Sequence, residues 1–231
     1  MRYTWKQINT KPVPFKYIEY TIFPNDDIYM ESLEKAEILA PQMNRHAPDG
    51  RLRSSEEILY KCAAGCIAEK IVVFFINTMA EYFNADVLAH EVVFDRNVDD
   101  DQVDVVVESQ SNSVKIEVRS SFARVPNDQK RYCEWFSIVG YYTSANKARE
   151  IAKDYYITVI FNGEKDYIIE SLSNNQPVTV QIAAGCSKEY LRDNGMVDSL
   201  KNRGATYRVI KPLINGVPVS TLAKQIFSDL Q

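Results

Sequence analysis

A run of valines in the middle of the chain is the feature that most constrains its fold. In Val103-Asp104-Val105-Val106-Val107 almost every residue is β-branched, and such residues favour strands. Successive side chains of a strand point to opposite faces, so an almost unbroken apolar run predicts a strand that is covered on both faces. We therefore expect this segment to be a central strand of a sheet.

The segments around the valine run predict an α/β domain with a mixed sheet. A helix start at Ser54 to Glu57 precedes apolar residues at helical spacing up to about Phe83, which predicts one long helix or two helices joined near Gly65. Strands are expected at 87–94, 103–108, 114–120 and 155–161, with helical segments between 129 and 153. The order of helix, three-stranded meander, helix and strand is typical of the α/β class.

The two ends of the chain have less regular patterns. Five prolines interrupt residues 1–53, which predicts an irregular N-terminal region with one short helix near residues 30–40. Residues 54–231 are expected to form the α/β domain, and the two parts to make one compact unit. The pair Asn162-Gly163 predicts a hairpin into a strand at 167–170. The remaining expected elements are a strand at 178–183, a helix from 187, a strand at 207–213 and a helix at 220–230.

Length and composition exclude several classes of protein. The chain has 231 residues, 45% of them hydrophobic and 25% charged, as in a soluble globular protein. Its longest wholly apolar run, Ile71–Ile76, is far shorter than the roughly 20 residues of a membrane span. Residues 1–10 lack the apolar stretch of a secretory signal, so a cytoplasmic protein is expected.

The supply of histidine and cysteine disfavours two kinds of site. The chain has two histidines, too few for a histidine-based metal site, and neither suggests a Ser-His-Asp triad. Cys62 and Cys66 are four residues apart on the predicted long helix. We interpret them as small buried side chains rather than as a pair of zinc ligands.

Charge is distributed unevenly along the chain, whose net charge is -4. Residues 86–110 contain 1 basic and 8 acidic side chains, whereas residues 111–153 contain 8 basic and 4 acidic ones. A solvated surface of mixed charge explains such blocks. A carboxylate cluster that binds metal, next to a surface that binds phosphate, would explain them equally.

Two acidic residues stand out within the predicted meander. In residues 114–119 the apolar side chains face one way, while Lys115, Glu117 and Arg119 face the other. Asp104 interrupts the valine run, and a buried carboxylate is costly unless it is paired or bound to metal. If these two strands pair across the turn between them, Asp104 and Glu117 approach each other at the same end of the sheet.

A pair of close carboxylates is suited to binding a divalent cation. Their charges repel one another, and a bound cation cancels that repulsion. Oxygen ligands favour Mg²⁺, with Mn²⁺ as a possible substitute, over zinc. Such a metal can polarise a phosphodiester and activate the water that attacks it.

The order of these motifs resembles the PD-(D/E)XK nuclease superfamily over residues 60–165. The matching segments are Gly65-Cys66-Ile67-Ala68-Glu69 on the helix, Val103-Asp104 on one strand and Glu117-Val118-Arg119 on the next. The resemblance implies a restriction-endonuclease-like fold, with a central mixed β-sheet flanked by helices. It also implies that Asp104 and Glu117 bind the catalytic metal, and that Glu69 holds the same site directly or through a water.

The sequence departs from the family pattern at two positions. Val103 stands where the family has proline, and Arg119 stands where it usually has lysine. Arg119 can orient a water or a phosphate oxygen and stabilise negative charge. Its pKa, above about 12, prevents it from acting as a base. The metal alone would then generate hydroxide, or Lys115 on the same face would substitute for the lysine, or the site has lost its activity.

The resemblance implies a Mg²⁺-dependent DNA endonuclease of the restriction type, bacterial or phage-encoded. Such enzymes hydrolyse phosphodiester bonds with metal-activated water, leave a 5′-phosphate and commonly act as homodimers. The basic block after the motif would contact DNA, through Ser120, Ser121, Arg124, Lys130 and Arg131. Basic residues also cluster within 187–208, where loops could read a DNA sequence.

Two other functions remain open at this point. The first is a catalytically inactive member of the same fold that binds nucleic acid or has a structural role, and Arg119 motivates it. The second is a small-molecule metal enzyme or an interaction protein in which Asp104 is paired with Arg119.

Overall fold

The computed structural model describes residues 1–9, 14–45, 51–92, 103–142, 152–199 and 206–231. Its helices are α1 (Asp27–Leu39), α2 (Ser55–Phe83), α3 (Gln129–Trp135), α4 (Lys165–Ser173), α5 (Lys188–Asn194) and α6 (Val219–Asp229). Its strands are β1 (Arg2–Ile8), β2 (Phe15–Ile22), β3 (Leu88–Glu91), β4 (Val105–Glu108), β5 (Ser113–Phe122), β6 (Ile138–Tyr142), β7 (Tyr155–Phe161), β8 (Val178–Ser187), β9 (Met196–Ser199), β10 (Thr206–Ile210) and β11 (Val217–Pro218).

The strands form one large sheet and one small sheet. The large sheet has the order β1-β2-β8-β7-β5-β4-β3, and β11 also pairs with β8. Its strand pairs are antiparallel except for β5 and β7, which run parallel. The small sheet has the order β6-β10-β9. The fold is therefore a mixed α/β architecture with a large, mostly antiparallel sheet flanked by helices, and the predicted α/β class with a mixed sheet is confirmed.

Helix α2 covers one face of the large sheet. It begins where Ser54 Oγ accepts a hydrogen bond from the Glu57 amide at 3.0 Å, and it ends at Asn84, whose φ of 52° is left-handed. Its apolar side is fully buried in the main core, and α1, α4 and α6 contribute to the same core. The sequence predicted one helix or two, and the structure shows one that continues through Gly65.

The opposite face of the large sheet carries a second core. Tyr17 of β2, Tyr156 of β7 and Ala183 of β8 pack there with residues of α3, α5 and the small sheet. Both faces are thus covered in the middle of the large sheet. The valine-rich strand β4 lies between β5 and β3, one position from the sheet edge. It was expected to be central and covered on both faces, but the second core contains none of its residues and Val106 is only half-buried, because β4 lies beyond the strands that the second core covers.

The N-terminal segment is more regular than the sequence suggests. Strands β1 and β2 form an antiparallel hairpin, and β2 also pairs with β8 in the large sheet. Ile18 and Tyr20 of β2 are buried in the same core as α2. The prediction of an irregular region therefore fails for these residues, because their pairing partner lies far along the chain. The helix predicted near residues 30–40 corresponds to α1.

Two local predictions in the second half of the chain are wrong. The segment after Asn162-Gly163 is helix α4 rather than a strand, and it buries Ile168 and Leu172. Of the helical segments expected between 129 and 153, α3 is confirmed, but residues 138–142 form strand β6 because they pair with the distant β10. The rest of that stretch, residues 143–151, lies outside the described residues, as does the end of the strand predicted at 87–94.

In the described parts of the chain, no helix combines the length and the apolar character needed to cross a bilayer.

Two glycines offer a matched test of the packing. A Cβ added to Gly185 of β8 would lie 2.5 Å from the Tyr156 carbonyl oxygen and 2.4 Å from Leu222 Cδ2, whereas at Gly65 it would meet nothing within 4 Å. We expect Gly185→Ala to lower the free energy of unfolding by about 1–3 kcal/mol, because backbone must move. We expect Gly65→Ala to raise it by about 0.5–1 kcal/mol, because alanine is the better helix former. Urea denaturation measures both, and an undiminished stability of Gly185→Ala would contradict the close packing.

Candidate functional site

The pairing of β4 with β5 brings the two predicted carboxylates together. Val105 pairs with Ile116, and continuing this antiparallel register by one residue sets Asp104 opposite Glu117. Directly opposed residues of antiparallel strands have Cβ atoms about 4.5–5.5 Å apart. Val105 and Ile116 are buried in the core beneath α2, so alternation directs Glu117 to the other face of the sheet. On the neighbouring strand β7, Glu117 pairs with Tyr156.

Asp104 is surrounded by negative charge. Burial and, to a smaller extent, the charges of Glu117 and Glu69 raise the pKa of this carboxyl to about 8, although the Val118 amide and Arg119 oppose the shift. Asp104 Oδ2 accepts a hydrogen bond of 2.7 Å from the Val118 amide, which fixes the carboxyl against β5. The charges of Glu117 and Glu69 thus both act on Asp104. We call Asp104, Glu117 and Glu69 the carboxylate site.

Glu117 and Arg119 form an ion pair within β5. Glu117 is only 7% exposed, and its Oε1 lies 2.9 Å from Arg119 Nη2. The two residues are two positions apart on one face of the strand, which brings the guanidinium to the carboxylate. Arg119 therefore supplies a permanent positive charge at the carboxylate site. The charge of Arg119 also lowers the pKa of Asp104.

Glu69 reaches the carboxylate site from helix α2. Its Oε2 lies 2.8 Å from Lys35 Nζ of α1, and the same ammonium lies 2.8 Å from Glu91 Oε1 of β3. Burial raises the pKa of Glu69, although Lys35 opposes this effect. Burial would lower the pKa of Lys35, but Glu69 and Glu91 together raise it well above its usual value. Lys35 is thus a charged residue that holds Glu69 in place.

Sequence reasoning missed Lys35 and Glu91. Helix α1 is an ordinary charged helix in the sequence, and Lys35 is 34 residues from Glu69. Glu91 also forms an ion pair with Lys70, whose Nζ lies 2.8 Å from Glu91 Oε2. Burial would raise the pKa of Glu91, but the hydrogen bonds from both lysines outweigh it and hold the pKa below its usual value. No local pattern reveals this network, because it depends on how α1, α2 and β3 pack.

Lys115 lies at the margin of the carboxylate site. It is exposed, and alternation places its side chain on the face of Glu117 and Arg119. Its backbone amide donates a hydrogen bond of 2.8 Å to Asp154 Oδ2, which ties β5 to the start of β7. The structure therefore keeps Lys115 on the predicted face but two residues away from Glu117.

Asp104 and Glu117 supply some of the ligands that a hard divalent cation needs. In the stretches of chain that the structure describes, no group of three histidine, cysteine, aspartate or glutamate side chains is arranged to hold a metal ion. Mg²⁺ needs fewer protein ligands than that, because it usually keeps several waters and takes one or two carboxylates. Asp104 and Glu117 supply oxygen only. The raised pKa of Asp104 reflects burial first and the charges of Glu117 and Glu69 second, and a bound cation would offset both.

A basic cavity lies further along the same face of β5. Ser121, four residues beyond Glu117 and about 13 Å along an extended strand, lines a cavity of about 520 Å³. Its walls carry Arg124, Arg131, Trp135 and Lys211, together with one acid, Glu134, so cations outnumber acids three to one in the lining. The Arg131 guanidinium lies 4.5 Å from the centre of the Trp135 ring, which is 55% exposed. We call the cavity formed by Ser121, Arg124, Arg131, Trp135 and Lys211 the basic cavity.

The predicted DNA-contacting residues are only partly brought together. Ser121, Arg124 and Arg131 line the basic cavity, whereas alternation turns Ser120 to the other face of β5, where it is exposed. The side chain of Lys130 lies outside the described residues. Trp135 and Lys211 also line the basic cavity. Lys211 comes from a segment far along the chain, so only the fold could place it here.

Comparison with known proteins gives a relative whose printed name carries no function. The chain is 26% identical over 229 residues to a protein of Methanocaldococcus jannaschii named "Uncharacterized protein MJECS01", an alignment covering 85% of this chain and 81% of that protein. No family model matches the sequence. No solved structure matches it either.

Proposed function

We propose that this protein is a Mg²⁺-dependent DNA endonuclease of the restriction type with a restriction-endonuclease-like fold. The observation that carries the proposal is the position of Asp104 opposite Glu117 on adjacent strands, with Glu69 of α2 close enough to raise the pKa of Asp104. Isolated buried carboxylates are rare, and clusters with perturbed pKa values concentrate at functional sites.

The order of elements supports the same proposal. Helix α2 with its acid, the antiparallel strands β3, β4 and β5, helix α3, strand β6 of the small sheet and strand β7 follow one another along the chain. Strand β7 returns parallel to β5. Apart from β3 and β6, this order resembles the PD-(D/E)XK pattern: a helix with an acid, a strand with Asp, a partner strand with Glu-x-Arg here, a helix and a further strand.

Each residue of the carboxylate site has a defined role in the proposed reaction. Asp104 and Glu117 would hold Mg²⁺, which polarises the scissile phosphodiester and lowers the pKa of the attacking water. Arg119, paired with Glu117, lies where it can stabilise negative charge on a phosphate oxygen. Lys35 keeps Glu69 oriented toward the site. Lys115 is the exposed cation on the same face that could contact a neighbouring phosphate.

The basic cavity would position the DNA. Its three cations lie on the same face of the sheet as Glu117, so one duplex could contact both regions. Ser121 can donate a hydrogen bond to a phosphate, and the exposed Trp135 ring can contact a sugar or a base. We include a homodimer in the proposal, since two carboxylate sites related by a twofold axis would cut both strands.

A catalytically inactive protein that binds nucleic acid is the second candidate. The ion pairs of Glu117 with Arg119 and of Glu69 with Lys35 favour it, because each neutralises a carboxylate that a metal would need. This candidate keeps the basic cavity as a binding surface and gives the carboxylate site a structural role.

A plasmid cleavage assay tests the proposal. Supercoiled plasmid is incubated with the protein and Mg²⁺ or Mn²⁺, and we expect nicked and linear products that EDTA abolishes. Their ends are then labelled by polynucleotide kinase with and without prior phosphatase treatment, and we expect labelling only after phosphatase, as a 5′-phosphate requires.

Each other outcome of this assay has a definite meaning. Binding of DNA that weakens with salt, without cleavage of any plasmid, linear duplex or single strand, would favour the inactive candidate. If the protein neither binds nor cleaves DNA, both candidates are overturned. Cleavage that persists in EDTA would contradict the role assigned to Asp104 and Glu117.

A further inference from the structure

A second cavity lies away from the carboxylate site. It has a volume of about 800 Å³ and is formed by β1, β2, the C-terminal half of α2 and the start of α6. This volume lies within the range of about 300–1,000 Å³ that is typical of ligand sites. Trp5 of β1 pairs with Ile18 of β2, which is buried beneath α2, so the cavity opens on the α2 face of the sheet. Strands β8 and β7 separate β2 from β5.

Exposed aromatic rings line this cavity. Tyr3 is 50% exposed, Trp5 41% and Tyr82 77%. Buried rings support two of them, since the Trp5 ring lies 6.5 Å from that of Phe75 and the Tyr3 ring lies 5.8 Å from that of Tyr20. The Tyr82 ring lies 4.9 Å from that of Phe83, so each of the three rings packs against another ring while part of its surface remains accessible. Flat accessible rings of this kind can stack on planar ligand groups.

All charged residues in the lining of the cavity are positive. They are Lys6, Lys16 and Lys224. Lys6 is neutralised in part by Glu19, at 3.2 Å, and Lys224 lies 4.9 Å from the centre of the Phe83 ring. Lys16 and Lys224 are exposed, and neither has a carboxylate within ion-pair distance among residues whose placement is described. In a chain of net charge -4, this concentration of cations favours an anionic ligand.

The start of helix α6 adds a further positive region. The helix begins at Val219 after Pro218, and Ser220 and Thr221 of its first turn line the cavity. Within the described chain, no side chain caps this end of the helix. The first amide groups of a helix lack intrahelical acceptors and carry partial positive charge, so they are available to an anionic oxygen. We call the cavity formed by these residues the lysine groove.

We propose that the lysine groove binds a segment of single-stranded nucleic acid, with bases on Trp5 and Tyr82 and phosphates on Lys16, Lys224 and the start of α6. A polyanion with planar rings uses both features of the groove. An acidic peptide would use the lysines alone, and an apolar ligand would use the rings alone. Strands β8 and β7 separate this groove from Glu117, which is on the opposite face of the sheet, so the groove can be tested independently of the nuclease proposal.

Trp5 provides a direct reporter for this binding. The chain has two tryptophans, and a Trp135→Phe variant leaves Trp5 as the only one. The variant is titrated in EDTA with a twelve-residue oligo(dT), so that cleavage does not contribute. We expect the emission of Trp5 to be quenched at saturation, and the affinity to fall as salt is raised.

Comparison of three probes separates stacking from charge. The probes are oligo(dT), an abasic oligomer of the same length and poly-glutamate. Because stacking contributes roughly 1–3 kcal/mol per base, we expect oligo(dT) to bind at least about tenfold more tightly than the abasic oligomer. Equal binding of the abasic oligomer, or tighter binding of poly-glutamate, would overturn the assignment to nucleic acid. An unchanged Trp5 emission on addition of oligo(dT) would overturn the assignment to this groove.

Charge reversal provides the matched control. Lys16→Glu and Lys224→Glu change exposed side chains, and we expect each to weaken oligo(dT) binding about tenfold in the Trp5 titration and to reduce the salt slope by about 0.7. Lys188→Glu makes the same change at an exposed lysine of α5, and we expect it to leave the titration unchanged. Equal effects of the groove variants and of Lys188→Glu would contradict the proposal, provided that circular dichroism shows all variants folded.

Discussion

Asp104→Asn and Glu117→Gln should each reduce the rate of plasmid cleavage by about three powers of ten while leaving DNA binding largely intact. Both substitutions keep the size of the side chain and remove a negative oxygen ligand. A catalytic metal contributes several kcal/mol to stabilising the transition state, and a loss of about 4 kcal/mol corresponds to roughly a thousandfold. The rate of nicking under single-turnover conditions measures the change.

Glu108→Gln is the matched control for these variants. Glu108 ends the strand that follows Asp104, and its side chain is 53% exposed beside His90. It is not part of the carboxylate site, so its removal should leave the rate within about twofold of wild type, as for an ordinary surface change. If Asp104→Asn and Glu108→Gln cleave equally well, the metal site has been assigned to the wrong residues.

Arg119→Lys separates two roles of the arginine. If Arg119 only positions a phosphate oxygen or pairs with Glu117, a lysine at this position retains much of the cleavage rate. If the rate rises, a group with a lower pKa assists the attacking water, as a lysine can. A rate as low as that of Glu117→Gln would show that the guanidinium group itself is required, and that a positive charge alone at this position does not suffice.

Mg²⁺ affinity should increase about tenfold for each pH unit between pH 6 and pH 8. The pKa of Asp104 is raised to about 8, so the carboxyl is largely protonated in the free protein at pH 6, and it must lose its proton to bind a metal. The ionised fraction grows tenfold per pH unit below that pKa and levels off above it. Isothermal titration calorimetry in buffers of different ionisation enthalpy should detect release of close to one proton per metal at pH 7.

Asp104→Asn provides the control for this pH dependence. It should remove the proton release together with most of the metal affinity. Since the pKa of Asp104 in the folded protein is above its value in the unfolded chain, its contribution to stability is fully present below about pH 4 and is lost as pH rises toward 8. Without metal, the variant should therefore be more stable than wild type at pH 9 by an amount that disappears at acid pH. Parallel pH profiles of the two proteins would contradict the raised pKa.

The predicted elements that proved correct depend on short-range patterns. Helix α2 has a serine cap, acids in its first turn and an apolar side, all of which are local. Strands β4, β5 and β7 are rich in β-branched residues, and the short turn at 109–112 pairs β4 with β5. These signals involve residues close together in the chain, so no knowledge of the remaining fold is needed to interpret them.

The elements that were predicted wrongly depend on distant partners. Asn162-Gly163 has the sequence of a hairpin turn, but Asn162 Oδ1 accepts hydrogen bonds from the Asn127 amide at 2.8 Å and from the Tyr132 hydroxyl at 2.9 Å. A Cβ at Gly163 would lie 2.7 Å from the Tyr167 ring, so this glycine allows α4 to pack closely. The dipeptide thus serves a tertiary contact, which its turn propensity does not reveal.

The sequence alone determined which side chains share a face. The alternation of residues along β5, and the carboxyl of Asp104 among valines, follow from the two-residue period of an extended chain, which is a property of covalent geometry. Tertiary packing decided the partners: Arg119 for Glu117, Lys35 for Glu69, and α6 beside β1 and β2 in the lysine groove. Those choices depend on burial and charge summed over elements that lie far apart in the chain, so no local pattern contains them.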